Sequence, residues 1–163
     1  VTRAWRIVLC AIACIVAAMQ VGCGPEAVKI DRTSGLELEY MWSEASEQRT
    51  AYYRVTREGD FRSSGGLKAR DRETTFRAPL SDADVARFVE LVRATGYASR
   101  PDESGAGEPR SELTVREGRT RWSFTVLGGD ASVDALRAWL AELSMRQFRD
   151  VIEAQPEAGP RTR

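Results

Sequence analysis

Leu36, Leu38, Tyr40 and Trp42 alternate with Glu37, Glu39, Met41 and Ser43, the period-two pattern of a strand with one buried face. A second strand is predicted over residues 51–56, with Ala51, Tyr53 and Val55 on one face and Tyr52 on the other. Arg57-Glu58-Gly59-Asp60 supplies a hairpin turn, and residues 61–64 return before Gly65-Gly66 ends the strand. The stretch 68–72 reads as exposed. Residues 73–80 read as a further extended segment, with Pro79 placing its end at an edge or in a loop.

The period then changes. Ser81 followed by Asp82 and Asp84 marks a helix start, because a hydroxyl accepts from the unpaired N–H groups and acidic residues suit the positive end of the dipole. Val85, Phe88, Val89 and Val92 fall at i, i+3, i+4 and i+7, and Gly96 provides the left-handed stop. Residues 98–110, with Pro101, Gly105, Gly107 and Pro109, predict a solvent-facing loop. A second hairpin pairs Leu113 and Val115 with Trp122, Phe124 and Val126 about Glu117-Gly118. A second helix begins near Ala131, carries Val133, Leu136, Leu140 and Leu143 on one side with Trp139 broadening that face, and extends through Phe148 and Ile152. The expected fold is therefore α+β: an antiparallel sheet of about five strands with two helices packed on one face.

Ahead of this body, Arg3 and Arg6 precede an apolar run from Ile7 to Val21 in which no acidic residue occurs before Glu26. Cationic residues stay on the near side of a membrane while the apolar segment enters it, the build of a secretory signal. The uninterrupted apolar core, residues 7–19, falls short of the roughly 20 residues a permanent spanning helix uses. Its end, Gln20-Val21-Gly22-Cys23, resembles the lipobox of bacterial lipoproteins, with Gln20 standing where that family usually places Leu. The resemblance implies cleavage before Cys23, lipid attachment there and a palmitate-bearing anchor in the cell envelope. Cleavage after Ala18, or an uncut anchor, are the alternatives the residues leave open.

On this reading the chain divides into a signal peptide (1–22), a flexible tether (23–35), one α+β domain (36–153) and a disordered tail (154–163). Within the body, Tyr53-Arg54-Val55, Gly59 and Leu80-Ser81, followed by a later hairpin, resemble small lipoprotein-borne bacterial domains of unknown function. That resemblance implies no known activity.

Composition narrows the chemistry. Histidine is absent and there are three cysteines, Cys10 and Cys14 in the signal segment and Cys23 at its end. Histidine general bases, Ser-His and Cys-His pairs and the usual zinc sites are thereby removed, and lipidation of Cys23 leaves no thiol for a disulfide or redox role. Basic and acidic residues balance at 24 each, so no global field recruits nucleic acid, which is not expected as a partner. Lys29 and Lys68 are the only lysines; the arginines are scattered along the predicted elements and form no block, as on a solvated surface.

Three constellations invite chemistry. Gly128-Gly129-Asp130-Ala131-Ser132 sets glycines between a strand and a helix N-terminus, an anion-binding geometry, but GxGxxG and a Walker lysine are both missing. Asp82 with Asp84, or Glu103 with Glu108, are the carboxylate pairs available for glycoside hydrolysis, and each has a simpler account as helix start or loop solubiliser. Trp42, Trp122 and Trp139, with Tyr40, Tyr52 and Tyr53, are potential ligand aromatics; all but Tyr52 lie mostly on inward phases and are expected in the core. No catalytic residue, metal site or cofactor is assigned. The expectation is a membrane-anchored envelope lipoprotein, held by lipid on Cys23 and binding an envelope protein or glycan through the free face of its sheet. An extracytoplasmic hydrolase using carboxylate or Ser/Arg groups is the alternative.

Overall fold

A computed structural model describes residues 31–153; the signal-like run, Cys23 and the segment 154–163 lie outside the described residues. Six antiparallel strands form one sheet: β1 (Leu36–Glu44), β2 (Arg49–Val55), β3 (Asp60–Gly65), β4 (Phe76–Pro79), β5 (Arg110–Glu117) and β6 (Thr120–Leu127), in spatial order β4-β3-β2-β1-β5-β6. The α+β class holds, with one strand more than expected. Three helices accompany the sheet: α1 (Gly66–Arg70), α2 (Asp82–Ala94) and α3 (Ala131–Glu153).

Register follows from phase. Tyr40 lies opposite Tyr53 and Leu113, Val55 opposite Phe61, and Leu113 opposite Phe124, so the inward residues of five strands meet on one face. A one-residue slip would turn all of them to solvent. Onto this face α2 brings Val85, Phe88, Leu91 and Val92, and α3 brings Val133, Leu136, Leu140 and Leu143, all buried. Phe88 and Trp139 stack between the helices with centroids 6.4 Å apart. Each fully buried Leu, Val or Phe side chain contributes about 1.5–3 kcal/mol of hydrophobic stabilisation, so this one core supplies the main cohesion.

Helix α2 starts as its sequence requires: the Ser81 hydroxyl accepts from the Asp84 N–H at 3.1 Å, and Gly96 turns the chain at φ +66°. Helix α1 is the unanticipated element. Within the stretch expected to be exposed, Ala69 is fully buried, because α1 packs on β2 and β3. Five residues are too few to show a helical stripe in sequence.

Residues 31–35, placed in the tether from sequence, are packed against the domain. Thr33 is fully buried and its hydroxyl donates to the Leu36 carbonyl at 2.6 Å and to the Arg57 carbonyl at 3.2 Å. Asp31 Oδ1 accepts from the Gly35 N–H at 2.8 Å, and Arg32 pairs with Asp82 at 2.5 Å. Residues 31–35 are therefore part of the packed body.

The loop 98–109 does not simply stand in solvent. Its Glu103 N–H donates to the Thr125 carbonyl, while Asp102 accepts from the Thr125 N–H at 2.7 Å and Glu103 from the Leu127 N–H at 2.8 Å. These groups occupy the outer edge of β6, where an unpaired strand would otherwise offer free backbone donors. Gly107 is required by closeness: a Cβ there would stand 2.9 Å from that of Leu127.

Candidate binding surface

Helices α2 and α3 cover one face of the sheet. The opposite face is built from the residues of the other strand phase and is polar across its width. One lateral row runs, in register from β4 to β6, Arg77, Arg62, Arg54, Glu39, Thr114, Ser123. The next runs Ser64, Tyr52, Met41, Glu112, Thr125 from β3 to β6.

Over the second row lies Arg72, just past α1, whose guanidinium reaches Glu112 at 3.2 Å. Two shallow depressions of about 330 and 380 Å³ share Met41, Arg72 and Glu112 as common walls. The first adds Glu39, Tyr52, Arg110, Arg121 and Ser123; the second adds Ser43, Arg49, Thr50 and Arg70. Met41 and the Arg72–Glu112 pair therefore stand between the two depressions.

Tyr52, expected as the surface aromatic, is instead only 4% exposed, and its neighbour Ser64 is 8% exposed. Helix α1 turns back over this corner of the open face and covers both. Burial pushes the Tyr52 phenol above its ordinary value, and the nearby Glu39 carboxylate adds to the effect. No aromatic ring is thus offered as a flat stacking platform in this row.

The other aromatics take the core positions their phase predicts. Tyr40 donates to or accepts from Ser111 at 3.0 Å, and burial raises its phenol far above the usual range. Trp42, 9% exposed, has the guanidinium groups of Arg137 and Arg49 over its ring, 4.9 and 5.6 Å from the centroid. Trp122 meets Tyr97 edge-on at 5.1 Å, and Tyr97 donates to Glu117 at 2.8 Å. Burial and this carboxylate partner push the Tyr97 phenol up to about 12.

The carboxylates considered for acid–base work are engaged elsewhere. Asp82 pairs with Arg32. Burial alone would raise the Asp84 carboxyl, but the Ser81 hydroxyl and the Arg146 guanidinium outweigh it and hold it below the usual range. Glu103 serves the β6 edge, and Glu108 accepts from the Ser46 N–H at 3.1 Å. Neither pair faces across a cleft. The glycine turn before α3 is likewise filled from within: Asp130 Oδ1 accepts from the Ser132 and Val133 N–H groups, both at 3.0 Å, so its own carboxylate occupies the place an anion would take. Its ion pair with Arg100, then its hydrogen bonds from Ser132 and Val133, hold Asp130 well below the usual carboxylate range.

Among the described residues no three His, Cys, Asp or Glu side chains gather as a metal site, and no helix is long and apolar enough to cross a membrane. Cys23, the lipid-attachment residue expected from sequence, lies outside the described residues. Sequence reading pointed to the free face but to none of its arginines. The available signal was the strand phase opposite to Tyr53, Phe61 and Leu113. No protein-family model matches the chain, and no curated protein matches it.

Proposed function

We propose that this chain is a bacterial envelope lipoprotein, lipid-anchored through Cys23, whose single domain is a non-enzymatic binding or structural module. It meets a protein or glycan of the envelope through the open face of its sheet. The observation that supports this reading is the asymmetry of the two faces: α2 and α3 cover one, whereas the other carries two adjacent shallow depressions that share Met41, Arg72 and Glu112 as walls. A wide, shallow, charged face suits a macromolecular partner better than a small substrate, which is usually enclosed by a concave apolar pocket.

Two measurements test it. Intact mass and membrane fractionation, beside a Cys23→Ala variant, are expected to find diacylglyceryl-modified wild type and unprocessed variant; cleavage after Ala18 or no cleavage would refute the anchor. A photocrosslinking residue at Ser123 on the open face is expected to capture an envelope component in intact cells. Capture from Arg87 on α2 but not from Ser123 would move the binding surface to the helical side.

A further inference from the structure

Arg54, Arg62 and Arg77 lie directly opposite one another on β2, β3 and β4, all on the open face. Rungs of such a row are about 5 Å apart at the Cβ atoms, and like charges so placed destabilise a sheet. Compensation within the domain is partial: Glu39 lies directly opposite Arg54 on β1. Asp60 is the one carboxylate within 4 Å of the row among the described residues, pairing closely with Arg77 and only at 3.9 Å with Arg62. Among the same residues Arg54 has no carboxylate within that distance, and the Nε of Arg62 is buried without a hydrogen-bond partner. With Glu39 and Asp60 counted, three arginines share the row with two carboxylates, so the row carries one positive charge in excess.

We infer that this arginine ladder is a docking site for an acidic segment of a protein partner, whose carboxylates bridge successive rungs. Guanidinium forks match carboxylates in planar, bidentate geometry, and the row repeats that fork three times. On a helix, side chains at i, i+3 and i+4 stand about 5–6 Å apart, so acidic residues at those positions match the rung spacing. The surrounding charge argues for a protein rather than a uniform polyanion. Glu39 continues the ladder's row on β1, Glu37 lies beside it on the same strand, and Arg116 and Arg121 return positive charge on β5 and β6. A polyanionic glycan laid across these stripes meets repulsion at β1, whereas a protein segment can confine its carboxylates to the ladder.

This inference rests on the open face being the binding surface, but its test is independent of lipidation and of cell-based crosslinking. Full-length protein in detergent micelles is titrated into fluorescein-labelled octaglutamate, read by anisotropy, with oligogalacturonate as the competing polyanion. Wild type is expected to bind the peptide, more weakly as salt rises. The triple variant Arg54→Gln, Arg62→Gln, Arg77→Gln is expected to lose about tenfold or more in affinity. A charge-matched control, Arg87→Gln, Arg93→Gln, Arg119→Gln, is expected to stay within about twofold, since these residues lie off the ladder. Circular dichroism is expected to find the ladder variant folded, because only exposed or half-buried side chains are changed and the repulsion relieved offsets the loss of the Arg77–Asp60 pair. Should it fail to fold, the Lys triple at the same positions keeps the charge and loses the fork, and weaker peptide binding by it still supports the ladder. No binding by wild type, equal loss in the control, or oligogalacturonate outcompeting the peptide would each overturn the proposal. Loss of ladder dependence with Ser123 crosslinks intact would remove the ladder and leave the open face standing.

Discussion

Arg72, two residues past α1, spans Met41 and Tyr52 to meet Glu112 of β5, forty positions along the chain. This ion pair joins the segment between β3 and β4 to the other half of the sheet and stands between the two open-face depressions. It also brings a cation beside a phenol that burial has already shifted.

Replacing Arg72 by Ala is expected to change stability by less than about 1 kcal/mol, because the pair is half exposed and such pairs are weak in water. The local effect should be larger than the global one. Hydrogen exchange is expected to rise in α1 and at Tyr52 while the strands of the core stay protected. Denaturant titration beside exchange measures both; uniform loss of protection across the sheet would contradict a local role.

Asp130 carries an acid-dependent part of the stability. Its folded carboxyl lies below the unfolded value of about 3.9, so its stabilisation is present above that pH and is lost as pH falls towards the folded value. Asp130→Asn keeps a capping side chain but removes the charge paired with Arg100. At pH 7 the variant is expected to be less stable by about 1–2 kcal/mol, because it removes a charge-assisted ion pair from a partly buried site. Its melting temperature should fall less steeply than that of wild type between about pH 4 and 2. Parallel curves in that window would place the titration elsewhere.

Thr33 ties the segment before β1 to the turn after β2 through one buried hydroxyl. Thr33→Val keeps shape but removes a buried donor whose shorter bond goes to the Leu36 carbonyl, while the Arg57 carbonyl keeps the Arg32 N–H, at an expected cost of about 1–3 kcal/mol. Limited proteolysis is the direct readout. Cleavage within residues 31–35 should appear in the variant before any cut in the strands, whereas unchanged resistance would show that the Arg32–Asp82 ion pair and the Arg32–Arg57 and Asp31–Gly35 hydrogen bonds suffice to hold the segment.

Sequence alone determined the parts that depend on local period and residue chemistry. The alternation of Leu36, Leu38, Tyr40 and Trp42 named the inward face of β1, and the Ser81 cap with its Val85 to Val92 stripe named α2. The missing histidines excluded whole classes of catalysis before any fold was considered. Tertiary structure decided what depends on pairing distant segments. Arg54, Arg62 and Arg77 read as scattered cations along the chain, and only antiparallel register across three strands lines them up. Glu103 reads as a loop solubiliser because nothing local reveals that β6 is an edge in need of the acceptors that Asp102 and Glu103 supply. Tyr52 occupies the outward phase, as its alternation indicates, yet it is buried because a five-residue helix folds back over it. Phase is written every second residue; what covers a phase is set by segments that meet only in the folded state.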